Sequence, residues 1–216
     1  MYKAVIFDLD GTLVDTLYDL ADAVNVGLKL AGLPTHDINE YRYFVGRGRD
    51  NLVKRAMGEY FDEEKAQIVR DTFDSYYAEH CNDNVRAYEG CAKMLSKLSA
   101  LGIKTAVLSN KPDEFVAQIL SNVYPEHSFT AAWGKRSQYP TKPNPSAFNA
   151  LLDELGAAPQ DCLYIGDSDV DVYTARNANV DMLGVEWGFR GKEELLNAGA
   201  EKVVSAAAEI LEYINE

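Results

Sequence analysis

The strongest constraint on this chain is an alternation of short apolar runs with longer amphipathic stretches. The runs that read as strands are residues 4–9, 104–109, 129–133, 162–166, 182–186 and 202–204. Helical patterns separate or follow them at 91–100, 114–121, 146–155, 170–177 and 206–214. Strand and helix in alternation build right-handed crossover units, so the expected class is α/β with a parallel sheet.

One interval breaks the alternation. From Thr16 to about Asn82 no segment reads as a strand, and helical patterns cover about 17–31, 49–60 and 63–79. Gly32 and Pro34 end the first of these, and Phe61-Asp62 opens the third. The block is read as an inserted helical domain, residues 16–82, in a core formed by 1–15 and 83–216. A segment inserted after a strand of an open parallel sheet leaves from its carboxyl end, where ligands bind, so the insert is expected to cover a site.

Composition narrows the partners. Thirty-four acidic and 21 basic residues give a net charge of −13. A surface so acidic repels nucleic-acid backbones and anionic membranes. No apolar run reaches the length of a signal-peptide core or a membrane span. Cys81, Cys91 and Cys162 form no close pair, which fits buried thiols in a cytoplasmic protein. Nothing in the sequence bears on oligomeric state.

The chemistry-bearing residues cluster at strand ends. Asp8-Leu9-Asp10-Gly11-Thr12 follows the apolar run Val5-Ile6-Phe7. Carboxylates at the end of a buried strand are costly unless a cation or donors compensate them. In extended geometry Asp8 and Asp10 point to the same side, which suggests a hard cation, Mg²⁺ before Zn²⁺, because no His or Cys is near in sequence. Gly11 permits a sharp turn. A turn held by aspartate side chains fits the same spacing. It is not an EF-hand loop, whose sixth position is Gly where this chain has Leu13.

A second cluster, Gly166-Asp167-Ser168-Asp169-Val170-Asp171, follows the run Leu163-Tyr164-Ile165. Asp167 leaves the sheet at the same edge as Asp8, so the two clusters are expected to share one cation. Acids such as Asp169 also suit a helix N-terminus for its dipole alone. Val170 rules out a nucleophile elbow, and Glu186 rules out a Walker loop ahead of Gly191-Lys192. His36, His80 and His127 form no metal or triad pattern. Ser109-Asn110 closes another strand, where Ser109 reads either as a helix cap or as a phosphate donor. Lys142, between Thr141 and Pro143, reads either as a solvated loop residue or as a point charge for a phosphate.

Taken in order, Asp8-x-Asp10-Gly11-Thr12, Ser109-Asn110, Lys142-Pro143-x-Pro145 and Gly166-Asp167-Ser168-x-x-Asp171 resemble the four motifs of the haloacid dehalogenase (HAD) superfamily. The helical insert resembles that superfamily's C1 cap. The segment Glu186-Trp187-Gly188-Phe189-Arg190 further resembles its phosphoglycolate phosphatase branch. The resemblance implies a Rossmann-like parallel sheet core with an inserted α-helical cap domain, and a Mg²⁺-dependent phosphatase of a small phosphorylated metabolite. It implies Asp8 as the nucleophile that forms an aspartyl-phosphate, and Asp10 as the acid and base. Ser109 and Lys142 would hold the phosphoryl oxygens, with Asn110 adjacent. Asp8, Asp10 through its main chain, and Asp167 would bind the metal, with Asp171 supporting Lys142 or a metal-bound water. Asp10 argues against a dehalogenase, which the family pattern expects to lack that acid.

Substrate choice is expected to lie in the insert. Arg42, Arg47, Arg49, Lys54 and Arg55 crowd one stretch of an otherwise acidic chain. Gly46 and Arg47, in the 46–49 loop, are expected to take a substrate carboxylate, while Lys54 and Arg55 fit a solvated face. The basic segment Lys135-Arg136 ahead of Lys142 leaves the substrate open. A pyrophosphatase, a nucleotide or sugar phosphatase, a phosphosugar mutase and a non-catalytic binding protein on the same fold remain alternatives.

Overall fold

The computed structural model describes residues 2–215; Met1 and Glu216, the outer ends of the expected core range, lie outside the described residues. A six-stranded parallel sheet runs in the order β5-β4-β1-β6-β7-β8, with β1 (Ala4–Phe7), β4 (Lys104–Pro112), β5 (Ala131–Lys135), β6 (Cys162–Gly166), β7 (Asp181–Val185) and β8 (Val203–Val204). A separate antiparallel ribbon pairs β2 (Val14–Asp15) with β3 (Arg86–Ala87). The core helices are α5 (Cys91–Ala100), α6 (Asp113–Val123), α7 (Ser146–Leu155), α8 (Asp169–Ala178), α9 (Gly191–Ala198) and α10 (Ala207–Asn215). The insert holds α1 (Leu17–Leu30), α2 (Tyr41–Phe44), α3 (Arg49–Met57) and α4 (Glu63–His80).

β1 lies at the centre because each of its residues is apolar and its two faces pack on different helices. Val5 and Phe7 join a cluster with Leu95, Val116, Ile119 and Ile210, while Ala4 and Ile6 join Phe148, Leu151 and Ala175. This two-residue alternation covers both faces of the sheet. Each such apolar side chain contributes about 1.5–3 kcal/mol when fully buried.

Register decides what meets at the carboxyl edge. Phe7 pairs with Val107 of β4 on one side and Ile165 of β6 on the other. Asp8 follows Phe7 directly, and Ser109 and Asp167 lie two residues past its partners, so all three leave the sheet at its carboxyl edge. The strand order reverses around β1, and a parallel sheet opens a crevice at such a point.

The helical insert packs mainly on itself. Leu17, Leu20, Ala21, Val24 and Leu28 form one face of α1, and Ala66, Val69, Phe73 and Tyr77 form the facing stripe of α4. Phe115 and Phe189 from the core share this cluster, so the insert also seats on the core. The chain leaves and rejoins the core through the β2–β3 ribbon, which has no counterpart in the sequence reading. Two-residue strands are too short to show a period. Helix α9 is likewise absent from the sequence reading. Among the described residues, no helix is long and apolar enough to cross a membrane, and all three cysteines are buried and free.

Candidate active site

Beyond Phe7 the chain turns sharply. Gly11 has φ +89°, and a Cβ there would lie 2.3 Å from Asp167 Oδ2. Only glycine combines that backbone with that approach. Gly188 does the same from the far side, since its Cβ would meet Asp167 Cβ at 2.3 Å and the Gly11 carbonyl at 2.4 Å. The Gly188 turn lets the Phe189 N–H donate to Asp167 Oδ2 at 2.7 Å and the Trp187 indole donate to the Thr12 carbonyl at 3.1 Å. The resemblance placed 186–190 in a family branch without giving it a task. In the structure this segment walls in Asp167.

Asp8, Asp167 and Asp171 come together, each offering an oxygen within 4.8 Å of the others, and all three are buried. Lys142 is the ammonium that meets them, with Nζ 2.9 Å from Asp8 Oδ1 and 2.9 Å from Asp171 Oδ1. It also donates to the Tyr164 hydroxyl at 2.8 Å. The solvated-loop reading of Lys142 therefore fails, as it is only 5% exposed. Asp171 is saturated. Its Oδ1 accepts from Lys142 and Tyr164, and its Oδ2 from the N–H and hydroxyl of Ser168. It holds Lys142 in place, as expected for a supporting residue.

The charges do not balance. Burial pushes Asp8 up to about 7, with Lys142 pulling down and Asp171 pushing further up. Burial and the neighbouring Asp171 and Asp8 carboxylates drive Asp167 well above the usual carboxylate range. Burial would raise Asp171 too, but Lys142 and its hydrogen bonds hold it low. Three carboxylates against one ammonium leave negative charge that a cation would offset. The donors are all hard oxygens with no His or Cys among them, so the set fits a metal ion such as Mg²⁺.

The Asp10 carboxylate lies outside this group of three, although it lines the same cavity as Asp8. Asp10 instead accepts from Lys111 Nζ at 3.0 and 3.3 Å and from the Thr16 hydroxyl at 2.7 Å. A metal role for Asp10 is left to its main chain. Both aspartates line one cavity.

That cavity lies between sheet edge and insert. Asp8, Asp10, Ser109, Asn110 and Lys111 line it from the core, with Pro112 and Phe115. Gly46, Gly48, Arg49, Phe73 and Tyr77 line it from the insert, with Leu20, Val45 and Leu52.

Ser109 is not a helix cap, because β4 continues to Pro112 and that residue caps α6. Asn110 is engaged rather than open to a ligand. Its Nδ2 donates to the Gly46 carbonyl at 3.0 Å and the Lys142 carbonyl at 3.1 Å, and its Oδ1 accepts from the Lys142 N–H at 2.8 Å. It ties the insert's loop to the Lys142 loop. Gly46 reaches the cavity, as expected.

Arg47 does not reach it. Arg47 is absent from the lining, and its guanidinium pairs with Asp169 at the start of α8, 2.6 Å away. The carboxylate it meets is one of the chain's own, distant in sequence, and the pair clamps insert to core. Arg190 clamps from the other side by donating to the Val45 carbonyl at 2.9 Å. Arg49 lines the cavity but is engaged by Asp50 and Asp74 of the insert. Arg55 donates to the Tyr43 carbonyl, and Arg136 stacks on Trp133 beside Asp113, so neither lines the cavity. His36, His80 and His127 each have ordinary local partners, Ala56, Asp83 and Thr105.

Lys111 is the functional candidate that sequence reading missed. It is buried on the cavity wall, ion-paired to Asp10, with its ammonium 4.8 Å from the centre of the Tyr77 ring. The signal available was a charged residue closing an apolar strand run directly after Ser109-Asn110.

This order of strand-end groups under a helical insert is matched by known proteins. The haloacid dehalogenase-like hydrolase family matches residues 5–185, and the chain belongs to that family of hydrolases. A phosphoglycolate phosphatase of Yersinia pestis is 32% identical over 98% of this chain and 93% of its own length. One from Psychrobacter arcticus is 30% identical over 98% of this chain and 95% of its own. Among solved structures, a protein of Lactobacillus delbrueckii subsp. bulgaricus superposes with a TM-score of 0.94 at 33% identity, covering 99% of this chain and 98% of that one.

Proposed function

We propose that this chain is a Mg²⁺-dependent phosphatase that hydrolyses a small phosphomonoester, 2-phosphoglycolate first, through an aspartyl-phosphate on Asp8. The observation that carries the reading is the buried Asp8 carboxylate, bonded to Lys142 and grouped with Asp167, with Asp10 lining the same cavity. The names of the full-length relatives support the substrate.

Asp8 attacks phosphorus, the new Asp8–oxygen–phosphorus bond forms, and the ester oxygen leaves with a proton from Asp10. Water then attacks the same phosphorus, Asp10 takes its proton, and Asp8 is released as carboxylate with inorganic phosphate. Lys142 and the Ser109 hydroxyl hold the phosphoryl oxygens, and Asp171 keeps Lys142 in place. Asp8, Asp167 and the Asp10 main chain hold the metal. Bound Mg²⁺ supplies charge that offsets repulsion between the carboxylate and the phosphate dianion. The insert, residues 16–82, acts as a cap that closes over the ester and excludes bulk water. Free buried cysteines support a cytoplasmic setting.

The test is phosphate release from a panel of small phosphomonoesters with and without Mg²⁺. Activity is expected to vanish in chelator and return with Mg²⁺. Asp167→Asn is expected to raise the Mg²⁺ concentration for half-maximal rate by at least about tenfold. Full activity in chelator would remove the shared cation from the account.

Arg47→Ala tests its reassignment. A partly exposed ion pair is worth roughly 0.2–1 kcal/mol, so kcat/KM should fall by less than about tenfold. The fall should be equal for 2-phosphoglycolate and for an aryl phosphate, because Arg47 secures cap closure and not the carboxylate. A loss confined to phosphoglycolate would restore it to the substrate.

A further inference from the structure

The cavity's far wall carries a polar pair that the proposed chemistry does not use. Tyr77, on α4 of the insert, is 1% exposed and lines the cavity. Its neighbour there is the Lys111 ammonium, which can only donate, so the hydroxyl proton has no acceptor among the described residues. A buried hydroxyl left unpaired is costly and calls for a partner that is absent from the protein itself. Beside it lies Lys111, whose ammonium has three donors and shares them between the two oxygens of Asp10 at 3.0 and 3.3 Å, with a further N–H to give. Around the pair the wall is apolar, from Phe73 and Phe115.

We propose that Tyr77 and Lys111 form the subsite for the end of the substrate remote from phosphorus, and that this end is an anion, a carboxylate. The proposal rests on the phosphatase reading above and names what the site selects. Asp8 and Ser109 handle the phosphoryl group; Tyr77 and Lys111, lining the same cavity, offer one hydroxyl and one ammonium in an apolar setting. An acceptor with negative charge satisfies both, whereas an apolar end leaves the Tyr77 hydroxyl proton without an acceptor and Lys111 with Asp10 as its one counter-charge in the cavity wall. Sites built to bond a polar group reject analogues that lack it for this reason. The ammonium that would bind the carboxylate also holds Asp10, so recognition of the far end and placement of the acid–base residue are coupled through Lys111.

Tyr77→Phe separates this role from a structural one. It keeps the ring that stacks on Phe73 and meets Phe115 edge-on, and removes only the hydroxyl. The measurement is kcat/KM for 2-phosphoglycolate divided by kcat/KM for ethyl phosphate, its analogue with a methyl group in place of the carboxylate. Wild type should prefer phosphoglycolate by at least about a hundredfold, and Tyr77→Phe should cut that ratio by about tenfold while thermal stability holds or rises. Lys111→Met should cut the ratio further and also lower kcat on both esters, through Asp10. A ratio unchanged in Tyr77→Phe, or a wild type that treats both esters alike, overturns the subsite and leaves the phosphatase reading intact. A wild type that releases phosphate from no ester in Mg²⁺ overturns that reading, and this proposal with it.

Discussion

Asp8→Asn is expected to abolish phosphate release, lowering kcat by about 10⁴-fold or more, the scale on which nucleophile removal acts in other enzymes. The amide keeps the shape of the carboxylate but cannot form the acyl-phosphate bond. The fold should survive, and the metal-free protein should become no less stable. Asp8, Asp167 and Asp171 crowd one ammonium, so neutralising one of them relieves repulsion, while Asp171 still pairs with Lys142. Steady-state kinetics in saturating Mg²⁺, with thermal unfolding in chelator alongside, reads both halves. Turnover near wild type would remove Asp8 from the nucleophile's place. Loss of activity with loss of fold would make it a structural residue instead.

Lys142→Met carries the second large effect, on stability as well as rate. Its Nζ bonds Asp8, Asp171 and Tyr164 and is almost fully buried. Methionine fills much of the volume but leaves three buried carboxylates with no ammonium among them. Removing one partner of a buried ion pair costs about 3–5 kcal/mol. In a chain of this length that is a fall of roughly 10 °C in Tm. Burial alone would depress the lysine's own pKa, but Asp171 and Asp8 outweigh it and keep the ammonium charged, so the variant loses a true cation. The loss should shrink when Mg²⁺ is added, since a second cation then enters the same cluster. An unfolding midpoint equal to wild type in chelator would contradict the charge balance drawn here.

Much of the sheet was legible because its strands carry continuous apolar runs. Residues 162–166 and the helices at 91–100 and 146–155 match their sequence ranges, since their caps and turns are local. The edges slipped where tertiary pairing decides. β4 runs on through Ser109, Asn110 and Lys111 to Pro112, which no local pattern requires. That extension hides Lys111 from a motif reading and delivers it to the cavity. The strand-end grouping of Asp8, Ser109 and Asp167 followed from strand alternation, because a parallel sheet has one carboxyl edge.

What could not be read depends on pairs far apart in the chain. Asp10 is held by Lys111, a partner distant in the chain that no local pattern around Asp10 announces. Arg47 looked free for a ligand because its partner, Asp169, belongs to another element. Tyr77 fell within a helical stripe of apolar residues, and its ring does pack there. Only the hydroxyl without an acceptor sets it apart, and that is a property of the assembled cavity.

The central claim is that phosphorus passes through a covalent bond to Asp8. Acid quenching within the first turnover on 2-phosphoglycolate, followed by peptide mass analysis, tests it directly. The account predicts a phosphoryl adduct on Asp8, in the peptide containing Asp8 and Asp10, that decays as phosphate appears and is absent from Asp8→Asn. Phosphate release at full rate with no adduct at any quench time, or an adduct on another residue, would contradict it.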